Sequence, residues 1–331
     1  MNPDNTSIRA PIIGLLSNPH SRRNRSGLQA VRDIVANHPA IHHQVTNSAT
    51  DIAEALASFA ALGVNTLAIN GGDGTTAQVF TELFEGRPFA MMPAVILLPG
   101  GTTNMNVGDA GVPGKLPAAV TRMARWASDG SGRLDNVSRP ILRVAGASDG
   151  AGARYGMFFG AGIIIRGIEY CHQNIHSAGI GDEIGPGLAL LRTLWGLLRK
   201  DPRFTAPINL RIAVDGAPEG PPREVLLVLI SSLERLFLSM HPYWGREPGA
   251  LHCTWIEKPA PRLLRLFPSL LRGRPGAFAT PARGYRSHNA EQIQLWMDGT
   301  FTLDGEMHQA STASGPLIIS NGGSLEFVRL L

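Results

Sequence analysis

Roughly the first 135 residues alternate short apolar runs with stretches of helical periodicity. The run Pro11-Ile12-Ile13-Gly14-Leu15-Leu16 closes on Ser17 and reads as a buried parallel strand. Over 26–37, Leu28, Val31, Ile34 and Val35 fall at helical spacing. Over 48–62, Ile52, Ala55, Leu56 and Phe59 repeat the pattern, with Ser48 or Thr50 placed to cap. Segments 42–45, 64–70 and 94–98 read as further strands and 76–84 as a helix. Such alternation predicts a doubly wound α/β domain, whose ligands gather at the carboxyl ends of the strands.

The texture changes after Asp135. Segments 140–144, 154–160, 208–214, 224–230, 251–256, 291–297 and 301–303 read as strands between Gly/Pro turns, and Asp298-Gly299 carries a hairpin signal. A β-sandwich with helical insertions is expected, 188–199 being the foremost insertion. The expected domains are therefore 1–138, α/β, and 139–331, β-sandwich, with the last strand (about 316–331) placed to return to the N-terminal domain. No fixed-period repeat or low-complexity tract appears.

Composition narrows the classes. Of 331 residues, 44% are hydrophobic, which excludes disorder as the main state. Lys+Arg is 30 against 26 Asp+Glu, a net +4 too mild for a nucleic-acid binder. Only Lys115, Lys200 and Lys258 are lysines, so the excess is arginine, from codon bias or anion recognition by guanidinium forks. Cys171 and Cys253 are too few for a disulfide framework. The N-terminus lacks an h-region and no apolar stretch approaches the roughly 18 residues of a spanning helix, so a cytoplasmic protein is expected.

The chemistry concentrates in three strand-end loops. Asn70-Gly71-Gly72-Asp73-Gly74-Thr75-Thr76 lies between a strand and a helix, where glycines admit close approach and the helix N-terminus attracts anions. Asp73 beside phosphates makes sense if it holds Mg2+ or accepts a proton. Pro99-Gly100-Gly101-Thr102-Thr103-Asn104 and Ser17-Asn18-Pro19-His20-Ser21 follow two other strands, the latter leading into Arg22, Arg23 and Arg25. Together they describe a nucleotide site. It is not a Walker loop: Gly111-Val112-Pro113-Gly114-Lys115-Leu116 lacks the glycine spacing and the hydroxyl. Gly160-Ala161-Gly162 has Ile165 where a Rossmann fingerprint needs its third glycine, and reads as a tight turn. The histidines at 172, 176, 241, 252, 288 and 308 show no metal-ligand spacing.

At Ser17-Asn18-Pro19, Gly71-Gly72-Asp73-Gly74-Thr75, Gly101-Thr102-Thr103-Asn104 and Leu303-Asp304-Gly305-Glu306, in that order, the sequence resembles the diacylglycerol kinase catalytic-domain superfamily, which includes bacterial lipid kinases, sphingosine kinases and ceramide kinases. The resemblance implies an ATP-binding α/β domain, a C-terminal β-sandwich for the lipid, and a nucleotide site in the cleft between them. It implies ATP and Mg2+ as cofactors, a membrane lipid alcohol as acceptor, no nucleic acid, and a homodimer. Carried over by position, Asn18, Ser21, Thr46, Gly72, Asp73, Gly74, Thr75, Thr76, Gln78 and Thr102 are nucleotide ligands, with Asp73 organising Mg2+. Glu306 is the proton acceptor, and Asp135 and Asn104 face the lipid. Diacylglycerol is the default acceptor, ceramide or a sphingoid base the alternative. An NAD kinase-like enzyme, or a non-catalytic lipid- or nucleotide-binding regulator, remains open.

Three departures stand out. Many relatives carry Asn-Asp-Phe-Ala where Asn104 is followed by Met105-Asn106-Val107, leaving Asp109 as the only nearby acid. Arg22, Arg23 and Arg25 replace Gly and Lys. Glu247-Pro248-Gly249 stands at a turn that in relatives holds a structural Mg2+. Two segments mix leucines with arginines, 188–200 and 263–274, and 258–290 holds seven basic residues and no acid. A peripheral contact with an anionic membrane surface is expected there.

Overall fold

The computed structural model describes residues 11–101, 104–170, 199, 201 and 206–331. The chain divides into two compact units, Met1–Ser138 with Leu325–Leu331, and Arg139–Ser324.

In the first unit, strands β1 (Ile13–Ser17), β2 (Ile41–Val45), β3 (Thr66–Gly71) and β4 (Ala94–Pro99) pair in parallel in the order β2-β1-β3-β4. Phe327, near the chain's end, pairs beside Val95 at the free edge of β4. The helices are α1 (Asn24–Val35), α2 (Ala49–Ala61), α3 (Asp73–Thr81), α4 (Met105–Ala110) and α5 (Leu116–Asp129). Strand residues alternate between two buried faces, which is why these runs are apolar throughout. Ile13, Leu15, Ala68, Ile96 and Leu98 meet Val31 and Val35 of α1 and Ala119, Val120 and Met123 of α5. On the other face Phe59 of α2 lies over Gly14, where an added Cβ would come within 2.6 Å of the ring; the strand needs glycine there.

Local signals set the helix ends. Ser48 Oγ accepts from the Asp51 backbone N–H at 3.1 Å, while the Asp51 carboxylate accepts from Asn47 N–H at 2.8 Å, a reciprocal cap for α2. Helix α3 begins at Asp73, earlier than the apolar period suggests, because the glycine loop turns directly into it. After Thr81 it widens into a π-type turn over Glu82–Gly86.

In the second unit the strands are β5 (Leu134–Ala145, from residue 139 on), β6 (Arg154–Gly156), β7 (Phe158–Gly162), β8 (Ile208–Val214), β9 (Arg223–Ser231), β10 (Leu251–Glu257), β11 (Tyr285–Ala290), β12 (Gln292–Met297), β13 (Gly299–Leu303), β14 (Glu306–Ala310) and β15 (Leu317–Leu330, to residue 324). Helices α6 (Ile163–Tyr170) and α7 (Leu263–Leu270) interrupt them. The antiparallel order is β14-β13-β7-β9-β8-β12-β15, and β10 joins β9 to β11. Strand β9 is buried on both faces: Val228 and Ile230 enter the main core while Leu226 packs with Ile256 and Tyr285.

Two turn readings are corrected. Asp298-Gly299 closes no hairpin: β12 pairs with β8 and β15, while β13 pairs with β7 and β14. The glycine, at φ +114°, only redirects the chain between strands whose partners lie elsewhere. Gly160-Ala161-Gly162 is not a turn but the end of β7, and Gly162, at φ +74°, opens into α6. Asp304-Gly305 does close the hairpin between β13 and β14, with Leu303 opposite Glu306. The expected insertion over 188–199 lies outside the described residues except Arg199. Among the described residues no helix is long and apolar enough to cross a membrane.

Candidate functional site

The carboxyl ends of β1, β3 and β4 carry the three loops, and the loops bond to one another. Asn18 Nδ2 donates to Thr75 Oγ1 at 2.8 Å, and the Gly72 N–H donates to Ser21 Oγ at 3.2 Å. The Asn18 N–H reaches Asn70 O at 3.0 Å, and the Arg23 N–H reaches Gly100 O at 3.2 Å. Asn24, buried at the start of α1, fastens two of them, its Nδ2 donating to Asn18 O at 2.7 Å and Asn70 O at 3.0 Å. Sequence reading passed over Asn24 because it sits among arginines; a polar residue on the inward side of a helix start is the signal that marks it.

Close packing makes glycine obligatory at position 101. A Cβ on Gly101 would lie 2.6 Å from Gly72 Cα, so the second and third loops touch backbone to backbone. Gly72 also serves as the N-cap of α3 with no side-chain acceptor on the helix start, leaving the first-turn N–H groups pointed at the loop.

Asp73 opens α3 and is half-buried. Its carboxylate accepts from the Met105 and Asn106 backbone N–H groups at 3.3 and 3.4 Å, the first turn of α4. Burial pushes its pKa up to about 6, against the lowering effect of those two bonds. Asn104 stands in left-handed backbone, and its amide is spent within its own loop: Oδ1 accepts from Gly101 N–H and Nδ2 donates to Gly101 O, both at 2.9 Å. Thr76 Oγ1 donates to Gly72 O at 3.2 Å, Gly74 is half-buried, and Gln78 is exposed. Thr102 lies outside the described residues.

Three buried oxygens near these loops have no hydrogen-bond partner among the described residues: Thr46 Oγ1 beyond β2, Asn24 Oδ1 and Asn70 Oδ1. Buried polar atoms are ordinarily satisfied, so this edge is built to meet a polar ligand. The uncapped N–H groups at the α3 start suit phosphate, whereas the two amide oxygens only accept and suit hydroxyl or amino groups, so the edge as a whole fits a phosphorylated nucleotide. For Mg2+ the fit is narrower. Among the described residues no group of three or more His, Cys, Asp or Glu side chains could hold a metal alone. Mg2+ commonly uses one or two protein carboxylates plus substrate phosphate and water, a role Asp73 can fill.

Beside the loops, Ser17 Oγ is shared by His43 Nε2 at 2.9 Å and Asn70 Nδ2 at 3.0 Å. Burial, with a contribution from Arg32, pulls the His43 pKa down to about 4, so the ring is neutral at pH 7. Asp135 pairs with Arg329 at 2.8 Å.

In the second unit Glu306 is exposed at the first position of β14. The residue that fixes its hairpin is Asp304, buried and at φ +49°, whose carboxylate accepts from the backbone N–H groups of Met157 and Phe158 at 2.8–3.2 Å. Sequence reading took Asp304 for a turn residue only, since nothing local shows its carboxylate turned inward. At the other turn, Glu247 is committed to His288 at 2.7 Å and to the Asn289 and Arg246 N–H groups, and its pKa falls to about 2.

A parallel sheet with helices on both faces and phosphate-type loops at one edge defines the first unit as a doubly wound α/β domain. Residues 13–130 match the diacylglycerol kinase catalytic domain, so over this segment the chain is similar to that catalytic-domain superfamily. It is 36% identical over 106 residues to the "Probable lipid kinase YegS-like" of Enterobacter sp. (strain 638), covering 32% of this chain and 35% of that protein. It is 39% identical over 80 residues to the "Probable lipid kinase YegS" of Salmonella arizonae, covering 24% and 26%. The chain thus aligns with about a third or less of these relatives' length. Among solved structures, a diacylglycerol kinase from Bacillus anthracis str. Sterne superposes with TM-score 0.58 at 16% identity, over 95% of this chain and 96% of that one. A second structure from the same strain gives TM-score 0.62 at 18% identity, over 96% of each. The fold is that of diacylglycerol kinases.

Proposed function

We propose that the protein is an ATP-dependent lipid kinase that phosphorylates the hydroxyl of a membrane lipid alcohol, with diacylglycerol the first candidate and ceramide or a sphingoid base the alternatives. The observation that carries this is the set of three interlocked loops at the sheet's carboxyl edge, the first bonded to the other two and the second packed on the third, within the segment matching the catalytic domain.

In this reading the α/β unit takes ATP. Asn18, Ser21, Thr46, Thr75 and the glycines line the loops, the α3 N-terminus faces phosphate, and Thr102 and Gln78 complete the contacts. Asp73 would hold Mg2+, which would supply neutralisation of phosphate charge. Phosphoryl transfer chiefly needs in-line positioning and charge neutralisation, plus a base for the incoming alcohol. Glu306 is that base: an exposed carboxylate at the start of β14 can take the hydroxyl proton as the oxygen attacks phosphorus. Asp304 positions it by locking the hairpin. The second unit, on this view, receives the lipid, and the protein works at the cytoplasmic face of a membrane.

Labelled ATP offered with diacylglycerol, ceramide, sphingoid base, NAD and sugars, with the labelled product identified, tests the reading. A phosphorylated lipid is expected; label on NAD or a sugar overturns it. The Glu306→Gln variant should keep ATP binding and lose transfer, and unchanged turnover removes Glu306 from the role of base.

A further inference from the structure

Within the second unit, segment 258–290 forms a basic and apolar surface around α7. Helix α7 turns Leu263, Leu266 and Leu270 inward, against the small core of Leu226, Ile256 and Tyr285. Its outer side carries Leu264, 36% exposed, the half-buried Phe267 and Leu271, and the exposed Arg265. Positions 264, 267 and 271 form a second apolar stripe at helical spacing, which the core does not account for.

Lys258, Arg262, Arg272, Arg274 and Arg283 are also exposed. Arg262 and Arg283 place their guanidinium carbons 4.3 and 4.1 Å from the Phe278 ring centroid. Among the described residues no carboxylate pairs with any of these six cations. The nearest acid in sequence, Glu257, is already held by Arg223 at 3.0 Å and Arg286 at 2.8 Å. One exposed acid, Glu234, stands on the neighbouring segment, 234–241.

That segment supplies the second observation. The His241 N–H donates to Leu271 O at 2.8 Å, tying the turn at Phe237–Ser239 to the end of α7. At this turn Leu238 is 69% exposed and holds left-handed backbone, φ 55° and ψ 26°, as does Ser239 at φ 55°. A leucine in that conformation is strained, and exposure gives it no burial in return. Folding stability therefore explains neither the residue nor its backbone. Contact with an apolar phase does.

We infer that α7 and the 237–239 turn form a docking tip for an anionic lipid bilayer, with Leu238 and Leu264 entering the interface and the arginines bonding lipid phosphates. A helix with an apolar stripe beside cations suits the boundary between headgroups and acyl chains. Guanidinium forks match phosphate oxygens. Nucleic acid would use the cations but offers the two leucines nothing. The inference deepens the lipid-kinase reading by naming where the membrane is met, and its test needs neither ATP nor turnover.

The test is co-sedimentation of the full chain with vesicles of phosphatidylcholine, with and without phosphatidylglycerol, across ionic strength. Binding should require phosphatidylglycerol and weaken with salt. Substituting Arg265, Arg272 and Arg274 by Gln should weaken it by about fivefold per arginine and flatten the salt dependence. Leu238→Asn with Leu264→Gln should weaken it on the order of tenfold while leaving the salt slope unchanged. Asn tolerates left-handed backbone, so the turn persists; a thermal melt matching the parent verifies folding. Equal binding to phosphatidylcholine alone, undiminished binding by folded variants, or duplex DNA binding that displaces the vesicles and ignores the leucines would each overturn the inference. Lipid phosphorylation in detergent is a separate readout, so loss of docking with intact turnover leaves the kinase reading standing.

Discussion

Single side chains set the electrostatics of the loop edge, and His43 gives the sharpest consequence. Its pKa falls from 6.5 to about 4 on folding because burial disfavours the imidazolium. Between those values the unfolded chain binds the extra proton, so stability is complete above about pH 6.5 and is lost as pH falls towards 4. After allowance for partial exposure the loss is on the order of 2 kcal/mol. His43→Asn should flatten this acid limb: urea unfolding at pH 4.5 and 7.5 should differ less in the variant than in the parent. Asp73 moves in the opposite sense, its raised pKa meaning that ionisation costs the folded state. Asp73→Asn should therefore leave stability at pH 7.5 equal or higher while abolishing phosphoryl transfer, a separation that calorimetry and a labelled-ATP assay would reveal. A variant that is active, or one that unfolds, counts against Asp73 as organiser of the phosphate site. At this scale the sequence showed which residue types sit in each loop. It did not show which are consumed by the fold, as Asn104 is by Gly101, because that depends on backbone trajectory.

At the scale of elements, local and non-local signals separate cleanly. Apolar period and capping chemistry placed α2 and the strands of the first unit well, since Ile52, Ala55, Leu56 and Phe59 are buried together and Ser48 caps through atoms three residues away. The Asp298-Gly299 reading failed because turn chemistry says only that the chain can reverse; pairing is decided by strands such as β8 and β7, distant in sequence. The inward Asp304 carboxylate escaped for the same reason, its partners at Met157 and Phe158 lying 146–147 residues away. The contact of the two glycine loops makes a specific claim. Gly101→Ala must push its backbone away from Gly72, because the clash at 2.6 Å is with a Cα and not with a flexible side-chain tip. Nucleotide affinity should drop by tenfold or more, about 1.4 kcal/mol, with a smaller change in unfolding free energy. Gly108→Ala, where an added Cβ meets nothing within 4 Å, is the matched control. Equilibrium binding of ATP to both variants separates loop geometry from a general loss of glycine.

For the molecule as a whole, the N-terminal unit is finished by the other end of the chain. Residues 325–331 belong with residues 1–138. Phe327 is fully buried, pairs with Val95 at the edge of β4, and meets the Phe80 ring edge-on at a centroid distance of 6.1 Å. Arg122 Nε donates to Leu330 O at 3.2 Å, Arg329 pairs with Asp135, and the Leu331 N–H reaches Arg133 O at 3.0 Å. These contacts cover the β4 edge opposite β3, and an uncovered edge beside a buried aromatic invites association. They also explain the fate of Asp135: its charge is matched by Arg329, whatever further contact it makes. Phe327→Ala should cost about 3–5 kcal/mol, concentrated in the α/β unit. Hydrogen exchange is the discriminating measurement, because protection should fall in β3 and β4 while β9, β10 and β12 keep theirs. Uniform loss across both units would instead mean that they unfold as one cooperative body, and that the closing segment stabilises the whole chain.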